Sequence, residues 1–211
     1  MSGQPFILTA ALCFGLVGCQ KVSHSHVLLT VAVESDGKTY TGSSVQEFTC
    51  LDRFWIMTPG CETKGEAVVV DIKGRGYLFV TMDLSDGRFH NSYGEAILGT
   101  ASSDPLGATN KTLPQKWTIK SEQMPLMVKF ADLNDAYSVA KVDPDDLANS
   151  YGEGVRLSNL TVETTSDKIA WGKVEAILPW IYDEESHFQR NSTQNRLSEN
   201  LSRYDFVSGK K

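Results

Sequence analysis

Four cysteines and four histidines are the side chains of this sequence best suited to covalent, acid–base or metal chemistry. Cys50 and Cys61 flank the loop LDRFWIMTPG. That gap is too long for a C-x-x-C metal knuckle, so a disulfide is favoured over two buried free thiols or a metal pair if the compartment is oxidising. Closing the loop would stabilise the fold by roughly 2 to 3 kcal/mol on the chain-entropy view. His24-x-His26 would place two imidazoles on one face of a strand, a foothold for a metal ion. No third ligand is near in sequence, and a solvated linker is the expectation there. Ser43, Ser44, His90, His187 and several aspartates could be assembled into a hydrolase triad, but there is no Gly-x-Ser-x-Gly elbow to seat the nucleophile. P-loop, H-E-x-x-H and dinucleotide fingerprints are also missing. Asp132, Asn134 and Asp143 match the first, third and twelfth places of a calcium loop. The glycine such a loop needs at its sixth place is lacking, so capping of a helix by Asp143 accounts for them better. No cofactor or metal is expected.

Cys19 stands apart from the other cysteines because it closes the uncharged apolar run Pro5 to Gln20. The run is shorter than the roughly 20 residues that a membrane-spanning helix needs, and it ends in small residues. Leu16-Val17-Gly18-Cys19 resembles the bacterial lipoprotein box. That resemblance implies removal of residues 1–18, a diacylglyceryl thioether on Cys19 and an acylated amine, with Cys13 leaving in the signal peptide. Two or more acyl chains give durable attachment, each buried CH2 contributing about 0.8 kcal/mol. Gln20, in place of aspartate, implies passage to the outer membrane, facing the periplasm. Met1 to Gln4 carry no lysine or arginine. The competing expectation is a cytosolic β protein whose first 18 residues are a structural helix or strand.

The formal charge of −6, from 20 basic and 26 acidic side chains, lies entirely after residue 18. A mildly acidic chain without a basic run is not built to neutralise phosphates, so nucleic acid is excluded as a partner class. About 190 residues suffice for one substantial core, and no Gly/Ser or Pro-rich linker divides them. The expected organisation is a signal peptide over 1–18, a lipidated tether over 19–25 and one domain over 26–211.

Val27, Leu29, Val31 and Val33 alternate with other residues, which is strand periodicity, and Asp36-Gly37 supplies a tight hairpin turn. The return strand, Lys38 to Cys50, contains Gly42-Ser43-Ser44, which signals a bulge or a close backbone approach. A second hairpin is expected from Glu66–Ile72 and Tyr77–Met82 around Gly74-x-Gly76. Val68-Val69-Val70, apolar on both faces, points to a central strand. Asp83 to Leu113 is irregular, with a short helix around Ser92 to Leu98, and is the expected contact region. Trp117–Ile119 and Leu126–Phe130 read as strands. Asp143-Pro144 reads as a helix start, with Asp143 as N-cap and Gly152 and Gly154 ending the helix. Val155 to Thr165 is a further strand, Trp171–Ile181 an apolar segment of open state, and Gln194–Leu201 a short helix.

The segments Lys38 to Val45, Gly65 to Asp71, Met124 to Asp135, Ser138-Val139, Val142 to Leu147, Leu178-Pro179-Trp180 and Asn195 to Phe206 resemble in the same order a family of uncharacterised proteobacterial proteins and lipoproteins. The resemblance covers most of the chain after Val27. It implies a Gram-negative envelope setting and a tail that belongs to the domain, and it lends no activity.

The fold expected is mainly β, a β-rich α+β chain built from hairpins into an antiparallel sandwich or partly open barrel. Roughly six to eight strands and two or three short helices should compose it. The function expected is a cell-envelope lipoprotein, a non-catalytic binding or structural module that meets the membrane through its anchor and an envelope protein or glycan through its loops. An envelope hydrolase with a dispersed active site, using His90 or His187, is the alternative.

Overall fold

The computed structural model describes residues 21–52, 60–84, 91–99, 116–120, 123–183 and 197–210. The chain is mainly β, with two open antiparallel sheets and short helices. Ten strands are described: β1 Lys21–Ser35, β2 Lys38–Asp52, β3 Gly60–Glu66, β4 Val68–Ile72, β5 Gly76–Leu84, β6 Lys116–Thr118, β7 Pro125–Phe130, β8 Val139–Val142, β9 Arg156–Thr164 and β10 Val207–Ser208. Four short helices accompany them: α1 Asn91–Gly99, α2 Leu147–Tyr151, α3 Lys173–Ile177 and α4 Leu197–Asn200. One sheet has the order β10-β3-β2-β1-β9-β6, the other β4-β5-β7-β8. The count exceeds the sequence expectation because β3, β8 and β10 pair into the sheets without carrying a strand-length apolar pattern of their own, whereas β6 was expected from Trp117–Ile119.

The first hairpin forms as its turn chemistry dictates. Asp36 and Gly37 both take positive φ, 52° and 73°, and β1 and β2 pair without a break from Lys21↔Asp52 to Ser35↔Lys38. The strand therefore starts well before the apolar alternation does. Lys21 to Ser25, expected as a tether, belongs to β1, because ladder hydrogen bonds to β2 require only the backbone. The unbroken register also rules out a bulge at Gly42. Gly42 instead marks a close approach: a Cβ built there would lie 2.1 Å from the Val69 carbonyl oxygen.

Val27, Leu29, Val31 and Val33 on the inner face of the larger sheet meet Val68, Val70, Ile72, Leu78 and Val80 of the smaller one in the main core. The far face of the smaller sheet is covered as well. Phe79, Leu126 and Val128 pack there against Val174, Leu178, Ile181, Leu201 and Phe206 from the α3 region and the C-terminal segment. Phe79 meets Phe130 and Phe206 edge-on, with ring centroids 5.4 and 6.0 Å apart. This layering corrects the placement of Val68–Val70. The strand is apolar on both faces because the sheet is sandwiched between two layers, while β4 itself lies at the edge of that sheet.

A second correction concerns α2. Asp143, Pro144, Asp145 and Asp146 form a turn in which the Asp146 N–H donates to the Asp143 carbonyl at 3.1 Å, with proline at its favoured second position. Asp146 is the N-cap, accepting from the Asn149 N–H at 3.2 Å, and Gly152 (φ 93°) ends the helix. Trp171–Ile181, left open by sequence, resolves into α3 and a 3-10 turn over Pro179–Tyr182.

At the turn end of the sandwich Arg75 ties three connections together. Its guanidinium donates to both Asp36 carboxylate oxygens, at 2.9 and 3.2 Å, and to the Tyr151 carbonyl at 2.9 Å. The Arg75 hydrogen bond, and after it the Arg75 charge, holds the exposed Asp36 carboxyl below the usual carboxylate range. A depressed folded value means that this contribution is present above the unfolded carboxylate value and is lost as pH falls through the folded one. Arg75→Gln should therefore raise the Asp36 midpoint in an NMR titration, and an unmoved midpoint would refute the clamp.

Candidate functional site

The outer face of β1, β2 and β3 gathers imidazole, carboxylate, hydroxyl and ammonium groups in one place. Antiparallel register sets it: His24 lies opposite Thr49 and His26 opposite Glu47, while Glu47 and Thr49 face Lys64 and Glu62 on β3. His24 Nδ1 and Thr49 Oγ1 are 3.1 Å apart. His26 Nε2 lies 3.0 Å from Glu47 Oε2, and Lys64 Nζ lies 3.5 Å from Glu47 Oε1. His26 Nδ1 lies 3.1 Å from the Asp167 carbonyl. Both ring nitrogens of His26 thus face acceptors.

These contacts hold a half-exposed ladder across three strands, each worth at most about 1 kcal/mol at such exposure. They suit recognition of a polar partner by hydrogen bonds. A hydroxyl beside an imidazole is the start of a nucleophile–base pair, but no third group orienting His24 is found among the described residues. Nor does any group of three or more His, Cys, Asp and Glu among them suit a metal ion.

A second polar constellation is buried. Tyr93 on α1 donates through its hydroxyl to Gln46 Oε1 at 2.9 Å, and Gln46 Nε2 donates to the Glu66 carbonyl at 3.1 Å. The Glu66 carboxylate, 1% exposed, accepts from the backbone N–H groups of Gly172, Lys173 and Val174 at 2.6, 3.0 and 3.4 Å. Burial pushes the Tyr93 phenol up, which keeps it a donor. The relay joins α1, β2, the β3–β4 corner and the start of α3, and its polar groups are engaged in holding the fold. Sequence reasoning missed it. The available signal was a glutamate opening the apolar run Ala67–Val70, where an exposed strand end would not need one.

Cys50 and Cys61 are disulfide-bonded directly across β2 and β3. Both are buried, and Gly94 of α1 lies so close that a Cβ there would be 2.7 Å from the Cys61 Cβ. Disulfides persist in oxidising, extracytoplasmic compartments. No helix among the described residues is long and apolar enough to cross a membrane.

The remaining residues singled out by sequence fall as follows. Cys19, His90 and His187 lie outside the described residues, as does most of Asp83–Leu113. The described parts of that region are the end of β5 at Asp83–Leu84 and α1, which buries Tyr93, Ala96, Ile97 and Leu98 and is a core element. Ser43 and Ser44 occupy successive positions of β2 and so point to opposite faces, which separates them as members of one triad. Asp132 and Asn134 form a turn of their own, the Asp132 carboxylate accepting the Asn134 N–H at 2.9 Å. Asp143 lies at the other end of β8, past the Val142↔Met127 pair, so the three do not assemble a calcium loop.

No protein family matches the chain, and neither curated proteins nor solved structures gave a match to it.

Proposed function

We propose that this chain is a cell-envelope lipoprotein, held by acylated Cys19 in the outer membrane facing the periplasm, and that it acts as a non-catalytic binding or structural module for an envelope protein or glycan. The observation that carries this reading is the Leu16-Val17-Gly18-Cys19 box at the end of an apolar run too short to span a bilayer. The Cys50–Cys61 disulfide supports the compartment. The resemblance to uncharacterised proteobacterial proteins and lipoproteins is consistent with that setting.

Affinity recovery of the full-length protein from envelopes crosslinked in the cell tests the binding role. Recovery of an envelope protein or a glycan fragment is expected, lost when Cys19→Ser mislocalises the chain. Recovery of no envelope component at high coverage would contradict it.

A further inference from the structure

We propose that the end of the larger sheet formed by the start of β1, the end of β2 and the start of β3 lies directly on the bilayer surface, so that the anchor fixes the orientation of the domain as well as its location. The proposal rests on the reading of Cys19 as the lipidated residue.

Its basis is how little chain separates that residue from the sheet. Only Gln20 stands between Cys19 and Lys21, and Lys21 is already paired with Asp52 in the first rung of the β1–β2 ladder. Two residues of extended chain reach about 7 Å. Neighbouring strands lie about 5 Å apart, so the β2 and β3 ends, adjacent at the Leu51↔Gly60 pair, are brought to the same level as the anchor. A long flexible tether would have allowed the domain to tumble, whereas a strand that begins two residues after the anchor restricts it. The hairpin then runs away from the surface to its Asp36-Gly37 turn, where Arg75 also clamps α2. The bilayer therefore covers one end of the sheet and leaves the Arg75 end pointing away from it.

Orientation is measured by energy transfer from the intact lipidated protein to headgroup-labelled lipid in phosphatidylethanolamine/phosphatidylglycerol vesicles. Exposed His24 and exposed Lys38 are each replaced by cysteine and labelled, His24→Cys near the anchor and Lys38→Cys beside the turn. Circular dichroism and an intact disulfide verify the fold of both. The labels differ by about 35 Å along the hairpin, so transfer from position 24 should exceed that from position 38 about threefold. A flexible Gly/Ser insert of about 20 residues after Gln20 should abolish the difference. Equal transfer from both positions in protein that co-floats with vesicles would overturn the orientation and leave the anchor standing. Failure to co-float, with an unacylated N-terminal peptide by mass, would remove the anchor and the orientation with it.

Discussion

Replacing Glu66 by alanine is expected to lower stability by about 3 kcal/mol, because it removes a buried carboxylate and strips the first turn of α3 of its acceptor. The carboxylate takes three backbone N–H groups that the helix itself leaves unpaired. Its negative charge sits where the helix dipole is positive, and its position at the corner between β3 and β4 lets one side chain tie the larger sheet to the layer beneath the smaller one. Glu66→Gln preserves the shape but turns an amide N–H2 toward backbone donors. It should cost about 1 to 2 kcal/mol through loss of charge-assisted bonds. Urea denaturation of the two variants, with an unchanged slope and a lowered midpoint, measures both. Wild-type stability in Glu66→Ala would show that α3 is held by its apolar contacts alone.

Gly42→Ala should be as damaging, for a steric reason. The added Cβ would meet the Val69 carbonyl oxygen at 2.1 Å and its carbon at 2.7 Å, both backbone atoms that cannot swing aside. Relief requires moving the edge of the smaller sheet away from β2, at a cost of about 3 kcal/mol, the upper end of what overpacked cores show. Gly74→Ala is the matched control. Nothing lies within 4 Å of its added Cβ, but its φ of 79° is left-handed, so it should lose only about 1 to 2 kcal/mol. Equal losses at the two positions would mean that Gly42 serves backbone freedom and not the approach of the sheets.

How far the sequence could be read follows from the range of the interactions involved. The β1–β2 hairpin was legible because Asp36-Gly37 and the Val27–Val33 alternation are local signals, and the Cys50–Cys61 pair because cysteines are few. The start of β1 was not legible: His24 and His26 become strand residues only because β2 continues to Asp52 beside them. Nor was the edge position of β4, since burial of both its faces depends on the C-terminal segment around Leu201 and Phe206. The Tyr93–Gln46–Glu66 relay joins residues from distant parts of the chain, and no spacing rule connects them. Asp143 was misread as a cap because Pro144 fits a turn and a helix start equally well.

The central claim, a disulfide-bonded domain anchored by lipid at Cys19, is tested most directly by the intact mass of the natively expressed protein from the membrane fraction, before and after reduction and alkylation. The account predicts a species that begins at Cys19 with added acyl mass, with Cys50 and Cys61 alkylated only after reduction. An unprocessed chain from Met1 in the soluble fraction, with freely alkylated thiols, would contradict it.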